Sequence, residues 1–341
     1  MRVAVVGATG AVGREMARIL HERGFPVDAF VPLASSRSAG ASVPFAGSEH
    51  EVRELSIEAL HDVDVALVSA GATVSRSLLP DAAALGVTCI DNSSAFRMDP
   101  SVPLSVPEVN PEALEGSPKI VAVPNCTTIT AVLALAPLHR AAGLRSLVLS
   151  SYQSVSGAGQ HGVIELLEQV EKLRGEESSL MHPEHDALPA GPTFGTTIAY
   201  NVIPQIGDFE ADGFTGEETK MMAEPRKVLG LPDLPVVATS VRVPVIAGHG
   251  VSILAEFDRP ISVAEARELL GMAPGVELRD DPANGVFPTP LAAAGGDVAL
   301  VGRLRQVPDR PDALALFSCA DNLRKGAALN AVQIAEYLFI R

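Results

Sequence analysis

The chain opens with a short apolar strand that runs straight into a glycine-spaced turn and a helix. Val3–Val6 are followed by Gly7, Gly10 and Gly13 at G-x-x-G-x-x-G spacing, inside "VAVVGATGAVGREMA". Glycines at this spacing let the backbone approach a pyrophosphate, and the start of the helix offers free N–H groups and a partial positive charge. A glycine motif alone is weak evidence, but its place between strand and helix favours a dinucleotide site over a plain tight turn.

The first third of the chain continues this alternation of strand and helix. Apolar strands are predicted at "VDAFVPLAS", "VDVALVSA", "VTCIDNSS" and "KIVAVPN", with a further helix at "SRSLLPDAAALG". Short apolar strands between helices indicate a parallel sheet that is covered on both faces. We therefore predict an α/β Rossmann-type dinucleotide-binding domain over residues 1–127.

The pattern changes after residue 127, where strands outnumber helices. Strand-like runs occur at "SLVLSSYQSVS", "VALVGRL" and "ALALFSCA", and "VRVPVIAGHGVSILAEF" reads as two antiparallel strands around a glycine-rich turn. We predict an α+β domain with a mixed or antiparallel sheet over residues 128–320. The run "DNLRKGAALNAVQIAEYLF" predicts a C-terminal helix within residues 321–341, packed back on the first domain.

Composition and charge exclude several classes of partner. The 341 residues carry a formal net charge of −15, which repels nucleic acid and anionic lipid, and they contain no basic stripe. No window is apolar enough to span a membrane, and the N-terminus lacks a signal-peptide pattern. We therefore expect a cytoplasmic protein with a small-molecule substrate and no nucleic-acid or membrane partner.

The segment after the second strand indicates which dinucleotide binds. NAD sites usually place an acidic residue there, whereas "PLASSRSAG" contains no acid but supplies Ser35, Arg37 and Ser38. A guanidinium among hydroxyls suits a 2′-phosphate. The sequence predicts NADP, and the alternative is an ordinary solvated Ser/Arg loop.

Cys126 stands where the strand "KIVAVPN" gives way to the helix that begins at "CTTITAVL". Ligands of open α/β sheets gather at the carboxyl ends of strands, and a helix N-terminus favours a thiolate, so we expect a lowered pKa for this cysteine. The alternative is a buried, inert cysteine, which fits Cys89 and Cys319 because both lie within apolar strands. Three widely spaced cysteines form neither a disulfide framework nor a zinc pattern.

Candidate partners for such a thiolate are spread along the second half of the chain. His249, flanked by glycines in "VIAGHGVS", is a candidate base, although a lone histidine is more often structural. Arg242 is an isolated cation in an apolar strand. In "TGEETKMM" a capping box is followed by Glu217 and Lys220 on one helix face, where a surface salt bridge is the simplest interpretation.

No metal site is expected. His182 and His185 in "MHPEHD" have a suggestive spacing, but a proline-containing loop without a third ligand makes a poor site.

Taken in order, these motifs resemble aspartate-β-semialdehyde dehydrogenases of the dimeric bacterial type. The match runs through "VAVVGATGAVG", "LASSRSAG", "DNSSAFRM", "PNCTT", "SSYQSVSGAG", "EETKM" and "KGAALNAVQIAE", and it covers nearly the whole chain. Thr127 departs from the serine that we associate with the family, and both residues offer a hydroxyl. The segment 171–194 does not match.

The resemblance implies NADPH-dependent reductive dephosphorylation of L-β-aspartyl phosphate to L-aspartate 4-semialdehyde, in the biosynthesis of lysine, diaminopimelate, threonine, methionine and isoleucine. It implies that Cys126 attacks the acyl carbon to form a thioacyl enzyme, that His249 is the general acid–base, and that Gln153 orients the substrate. It also implies a homodimer through the second domain, which would then be the catalytic and dimerisation domain.

The resemblance further assigns binding residues. Arg242 would hold the substrate carboxylate, Glu217 its amino group, and Arg97, Lys220 and Asn125 the phosphate. The cofactor residues that the resemblance and the glycine motif imply are Gly7, Thr9, Gly10, Ala11, Val12, Gly13, Ser35, Arg37, Ser38, Ser69, Ala70, Gly71, Ser156, Gly157 and Gln333.

Two alternative functions are open at this point. N-acetyl-γ-glutamyl-phosphate reductase performs the same chemistry on an acetylated substrate, but an uncharged nitrogen would leave Glu217 without a purpose. A non-catalytic paralogue with the same fold is the second alternative, and the combination of Cys126, Gln153, Arg242 and His249 argues against it.

Overall fold

The first sheet is built around the N-terminal strand. The computed structural model describes residues 1–184 and 188–340. Six parallel strands lie in the order β5-β2-β1-β6-β7-β8, as the strand–helix alternation predicts. Their bounds are β1 (Arg2–Val6), β2 (Ala29–Ala34), β5 (Arg53–Glu54), β6 (Val65–Val68), β7 (Thr88–Asp91) and β8 (Ile120–Ala122), with the small hairpin β3 (Ser42–Phe45) and β4 (Ser48–Glu51) beside them.

Helices cover both faces of this sheet. The apolar stripe of α1 (Ala11–Glu22), with Met16, Ile19 and Leu20, is buried on one face, and α2 (Ala72–Ala84) packs on the other. The C-terminal segment joins α1: a π-helical turn (Arg324–Ala328) leads into α8 (Leu329–Phe339), which contacts α1, β6 and β7. Two covered faces explain why β1 and β6 are apolar at nearly every position.

The second sheet is mixed, with the order β10-β9-β11-β14-β13-β12. The outer pairs β10–β9 and β12–β13 are parallel, and the central pairs are antiparallel. The strands are β9 (Leu144–Gln153), β10 (Val236–Arg242), β11 (His249–Phe257), β12 (Val276–Leu278), β13 (Ala299–Val307) and β14 (Arg310–Ala320), and the remaining helices are α3 (Cys126–Ala142), α4 (Gln160–Lys172), α5 (Gly216–Val228), α6 (Val263–Gly271) and α7 (Pro290–Ala293).

The predicted hairpin of β10 and β11 is wrong in one respect. The two strands run in opposite directions, but β9 lies between them and pairs with both. The connection crosses the end of β9, where Val243 N–H donates to the Gln153 carbonyl and Val155 N–H to the Val245 carbonyl. This crossing brings the ends of β9, β10 and the start of β11 together.

Helix α3 links the two sheets. It starts just after β8 and is buried on almost every side against the second sheet, α5 and α6. The other face of the second sheet exposes apolar side chains, with Val148 46% exposed, Tyr152 40% and Val237 53%. In the described part of the chain, no helix is both long and apolar enough to cross a bilayer.

Candidate active site

Cys126 is the first residue of α3, at the carboxyl edge of the first sheet, as predicted. Asn125 caps this helix: its Oδ1 accepts from the Thr127 N–H at 2.9 Å and from the Thr127 hydroxyl at 2.5 Å, and it lies 3.9 Å from the Cys126 sulfur. Gly326 of the π-helical turn packs against Cys126, because a Cβ at position 326 would lie 2.9 Å from that of Cys126. The thiol is therefore held between a capped helix start and the C-terminal segment.

The expected lowering of the Cys126 pKa is wrong for the chain as it stands. Burial and the nearby Glu217 carboxylate raise the pKa of Cys126 to about 12, although Arg97, Arg242 and the Thr127 N–H act in the opposite direction. The helix start alone does not offset the loss of water around the sulfur. The resting thiol is thus protonated at neutral pH. The structure places Cys89 and Cys319 in buried strand positions, as predicted.

His249 begins β11 and is completely buried. The Ser154 N–H donates to its Nδ1 at 3.1 Å, so the neutral ring carries its proton on Nε2. Burial and the Arg242 charge lower the pKa of His249 to about 3, which keeps the ring neutral. Among the described residues its Nε2 has no hydrogen-bond partner.

Gly157 brings His249 and Arg242 to one place. A Cβ on Gly157 would lie 3.2 Å from His249 Nε2 and 2.8 Å from Arg242 Nη1, so only a glycine fits between the two side chains without displacing them. Arg242 ends β10, is buried, and donates from Nη1 to the Ser154 carbonyl at 2.7 Å. An imidazole and a guanidinium therefore share one backbone wall.

Glu217 joins three predicted site residues. It lies in the first turn of α5, which starts with the predicted capping box. Its Oε1 accepts from Asn125 Nδ2 at 2.9 Å and Gln153 Nε2 at 3.0 Å, and its Oε2 accepts from Lys220 Nζ at 3.0 Å. Burial acts to raise the pKa of Glu217, but Lys220 and the amide donors hold it below its usual value. The pair with Lys220 is therefore part of a buried network, not a simple surface salt bridge.

Arg97 is held by a residue that the sequence did not single out. Glu224 lies two turns after Glu217 on α5. It accepts from Arg97 Nη1 at 3.0 Å and from the Asn125 N–H at 2.6 Å. Its spacing of seven from Glu217 places both carboxylates on one helix face, which is the signal that could have found it. Arg97 Nε and the side-chain amide of Asn92 are buried without partners among the described residues.

One cavity of about 310 Å³ connects the glycine motif to the cysteine. Its lining comes from residues that follow strands of the first sheet, Gly10, Ala11, Val12, Ser69, Arg97, Asn125 and Cys126, and from Ser156 and Gly157, which follow β9. Gly7 and Gly13 shape the motif from behind: a Cβ on either would lie 2.2 Å from a backbone carbonyl oxygen. These close approaches leave the start of α1 open toward the cavity.

Other predicted cofactor residues surround this motif without lining the cavity. Arg37 is exposed on a short turn after β2 that also carries Ser35 and Ser38. Gly71 precedes α2 with φ +86°, next to Ala70, and the carbonyl of Thr9 accepts from Arg14. The structure thus gathers these residues around the first βα unit and its neighbour.

Gln333 lies on α8, outside the βα units that carry the predicted residues just described. It does not line the cavity, because its amide donates to Glu108 at 2.8 Å and accepts from Lys325 at 2.6 Å within a separate buried cluster. Asn322 does line the cavity, where its Oδ1 accepts from the Gly248 N–H at 2.9 Å. Its position two residues after the end of β14 is the signal that sequence reasoning missed.

The described residues contain no group of three metal-ligating side chains that could hold an ion. His185 lies outside the described residues, so the structure does not describe the spacing of His182 and His185.

Comparisons with known proteins identify one family. Two family models match the chain: "Semialdehyde dehydrogenase, NAD binding domain" over residues 2–117 and "Semialdehyde dehydrogenase, dimerisation domain" over residues 135–325. An aspartate-semialdehyde dehydrogenase of Corynebacterium glutamicum is 51% identical over 346 residues, covering 98% of each chain.

Solved structures give the same result. A Vibrio cholerae aspartate semialdehyde dehydrogenase II complexed with ASA has a TM-score of 0.90 and 43% identity, over 98% of this chain and 97% of that one. A Candida albicans aspartate semialdehyde dehydrogenase with NADP, at 24% identity and a TM-score of 0.74 over 98% of this chain and 97% of that one, is similar in fold.

Proposed function

This chain belongs to the aspartate-semialdehyde dehydrogenase family, and we infer that it interconverts L-β-aspartyl phosphate and L-aspartate 4-semialdehyde. The observation that carries this function is one cavity that joins a dinucleotide motif to a cysteine, with Arg97 Nε and the side-chain amide of Asn92 without partners among the described residues of its wall. The reaction belongs to the biosynthesis of lysine, diaminopimelate, threonine, methionine and isoleucine, and we propose that it takes place in the cytoplasm.

The first step we propose is acyl transfer to Cys126. The sulfur attacks the acyl carbon, an S–C bond forms, and the C–O bond to phosphate breaks with its electron pair on the departing oxygen. The proton of the thiol leaves with the phosphate. Pairing of the substrate ammonium with Glu217 would offset the charge that raises the pKa of Cys126, so substrate itself favours the thiolate.

The second step is reduction of the thioester. A reduced nicotinamide, when bound, supplies the hydride. Donors at the start of α3 and at His249 would stabilise the negative charge that develops on the acyl oxygen. The C–S bond then breaks with its electron pair on the Cys126 sulfur, and the aldehyde C=O bond forms. His249 starts this step as a neutral donor at Nε2, because the Ser154 N–H occupies Nδ1.

Each charged group of the substrate has a counterpart in the network. We assign the carboxylate to Arg242, the amino group to Glu217, and the phosphate to Arg97, Lys220 and Asn125. Gln153 orients the substrate, since it shares Glu217 Oε1 with Asn125. The buried Glu217 supports a free ammonium over an acetylated nitrogen, and the named relatives are aspartate enzymes. The N-acetyl-γ-glutamyl alternative is therefore not favoured.

The chain carries a dinucleotide-binding domain, and we propose NADP as its cofactor. The start of α1 with Gly10, Ala11 and Val12 would hold the pyrophosphate, and Arg37 the 2′-phosphate. Ser156, Gly157 and Asn322 line the cavity near Cys126, where the nicotinamide would lie. The engaged amide of Gln333 does not support the cofactor role that the resemblance implies for it.

We propose that the chain is a homodimer through its second sheet. The family model described as a dimerisation domain matches residues 135–325. A second copy of the chain would cover the exposed apolar face around Val148, Tyr152 and Val237. In this proposal residues 1–127 form the dinucleotide-binding domain and residues 128–320 the catalytic and dimerisation domain. Residues 321–341 pack back on the first domain, as the contacts of α8 with α1 support.

A phosphate-dependent assay tests the function. The purified chain should reduce NADP in the presence of aspartate semialdehyde and inorganic phosphate, and arsenate should replace phosphate. Turnover of N-acetylglutamate semialdehyde instead would move the chain to the alternative reductase. A complete lack of turnover with either aldehyde would support the non-catalytic paralogue.

A further inference from the structure

The end of segment 171–194, which matches no motif of the family, and the residues that follow it contact Arg242. Residues 190–203, here termed the clamp segment, lie between α4 and β10. Two buried side chains of α4 fix its backbone: Glu165 accepts the N–H groups of Thr193 at 2.7 Å and Phe194 at 3.2 Å. Gln169 Oε1 accepts those of the next turn, Ile198 at 2.8 Å and Ala199 at 3.1 Å.

The Glu165 contact leaves little freedom for this segment. Gly191 passes so close to the carboxylate that a Cβ there would lie 2.2 Å from Glu165 Cδ. Buried backbone N–H groups need an acceptor, and a carboxylate that accepts from two of them is a strong one. Glu165 therefore fixes the part of the segment that carries Phe194.

The clamp segment contacts Arg242 at two points. The N–H of Ile203 donates to the Arg242 carbonyl at 2.9 Å, and the Arg242 N–H donates back at 2.8 Å. The ring of Phe194 lies under the guanidinium, with its centroid 6.0 Å from the guanidinium carbon, and its far edge packs beside Gly162 of α4. One contact fixes the backbone of Arg242 and the other its head group.

Hydrogen bonds alone do not orient this guanidinium. Among the described residues, the Arg242 side chain makes one hydrogen bond, from Nη1 to the Ser154 carbonyl. With a single hydrogen bond the guanidinium can still rotate about that contact. An aromatic face attracts the cation and restricts the orientation of the guanidinium plane. The ring also removes water from one side of the charge, which strengthens its attraction for an anion.

We propose that Phe194 is a positioning residue for the substrate carboxylate, acting through Arg242, and that Glu165 holds Phe194 in place. This inference rests on the carboxylate-binding role proposed for Arg242. The clamp segment then serves substrate affinity, not the chemistry at Cys126. It gives a role to part of a region that family motifs leave unexplained.

The test is steady-state kinetics of Phe194→Leu in the phosphate-dependent direction. The KM for aspartate semialdehyde should rise about 3- to 10-fold, the range that loss of a partly desolvated cation–π contact gives. The kcat should stay within about twofold. The KM for phosphate should not change, because the proposed phosphate residues Arg97 and Lys220 are held by Glu224 and Glu217 and not by Phe194.

Two further variants separate positioning from stability. Val170→Ala removes apolar contact in the same cluster of α4 and should lower the melting temperature with no change in the KM for the aldehyde. Glu165→Gln keeps one acceptor for two N–H groups and should raise that KM in the same direction as Phe194→Leu. The double variant Glu165→Gln/Phe194→Leu should show no further rise in the KM for the aldehyde, since Glu165 acts through Phe194.

The outcomes are distinct. An unchanged aldehyde KM in an active Phe194→Leu enzyme, or an equal rise in the KM for phosphate, would overturn the inference. Absence of turnover in the wild-type chain would instead refute the proposed function on which the inference rests.

Discussion

The two ends of the cavity are built in different ways. At the dinucleotide end, the walls are backbone: Gly10, Ala11 and Val12 at a helix start, shaped by the close packing of Gly7 and Gly13. At the chemical end, the walls are charged and polar side chains that are buried and paired with one another before any ligand arrives. Glu217 alone contacts three of them.

The difference follows from what each end has to recognise. A pyrophosphate is bound by N–H groups that every helix start provides, so backbone geometry is sufficient there. A small, multiply charged acyl phosphate offers little surface, and its affinity has to come from several side chains held in position in advance. Substitutions at the chemical end should therefore change turnover or the KM for the substrate, and those at the dinucleotide end should change cofactor affinity.

The largest expected effect separates the two ends most clearly. Cys126→Ala removes the nucleophile, and turnover should fall by at least on the order of 10⁴-fold. Fluorescence titration should give unchanged NADPH affinity, because the α1 end is untouched. Cys319→Ala, at a buried position in β14, is the matched control and should keep its activity. Weakened NADPH binding in Cys126→Ala would show that the ends are not independent.

His249→Asn should come next. Loss of the Nε2 donor should lower kcat by about 10²- to 10⁴-fold, the range of general acid–base groups. The KM for NADPH should be unchanged, and stopped-flow rates of the acyl-transfer and reduction steps should show which one slows. A near-normal kcat would remove His249 from the chemistry and leave it a structural role beside Ser154.

A smaller effect is expected at the dinucleotide end. Arg37→Ala should raise the KM for NADPH about tenfold, because one charge-assisted contact to the 2′-phosphate is lost. The KM for NADH should hardly change, and kcat with saturating cofactor should be normal. Arg174→Ala, at an exposed arginine just beyond the end of α4, serves as control. Equal effects on both cofactors would contradict the NADP assignment.

The smallest effect is on stability. His249 stays neutral in the fold until pH about 3, whereas the unfolded ring takes a proton near 6.5, so acid favours the unfolded state. Wild-type stability should therefore contain a component that is present above pH 6.5 and lost as pH falls toward 3, at no more than about 1.4 kcal/mol per pH unit.

Urea unfolding at a fixed protein concentration between pH 7 and pH 5 measures this component. His249→Asn should lose stability less steeply than wild type over that interval, because asparagine has no proton to take up. Parallel slopes for the two proteins would mean that His249 is protonated within the fold, which contradicts the burial that sets its low pKa.

Sequence and structure contributed differently at the two ends. The turn of Gly7, Gly10 and Gly13 was predictable because strand, turn and helix are consecutive in the chain. Two features of the chemical end were predictable for the same reason, because each depends on residues that are close in sequence. They are Cys126 at the start of α3 and the capping box of Thr215 and Glu218 on α5.

Three properties of the site needed the tertiary structure. The pKa of Cys126 is raised because Glu217 and the walls of the site approach it from distant parts of the chain. The protonated nitrogen of His249 is set by Ser154, which directly follows the neighbouring strand β9. Glu224 reaches Arg97 across 127 residues of sequence.

By itself, the sequence determined that this protein has a dinucleotide-binding βα unit, a cysteine at a helix start and a mixed second sheet, because each of these depends on neighbouring residues or on periodic burial. The tertiary structure alone decided that Gln333 contacts Lys325 instead of the cavity, that Asn322 lines it, and that β9 separates β10 from β11. Burial, electrostatic coupling and strand order depend on which distant segments of the chain come into contact. Local sequence patterns do not predict these long-range contacts.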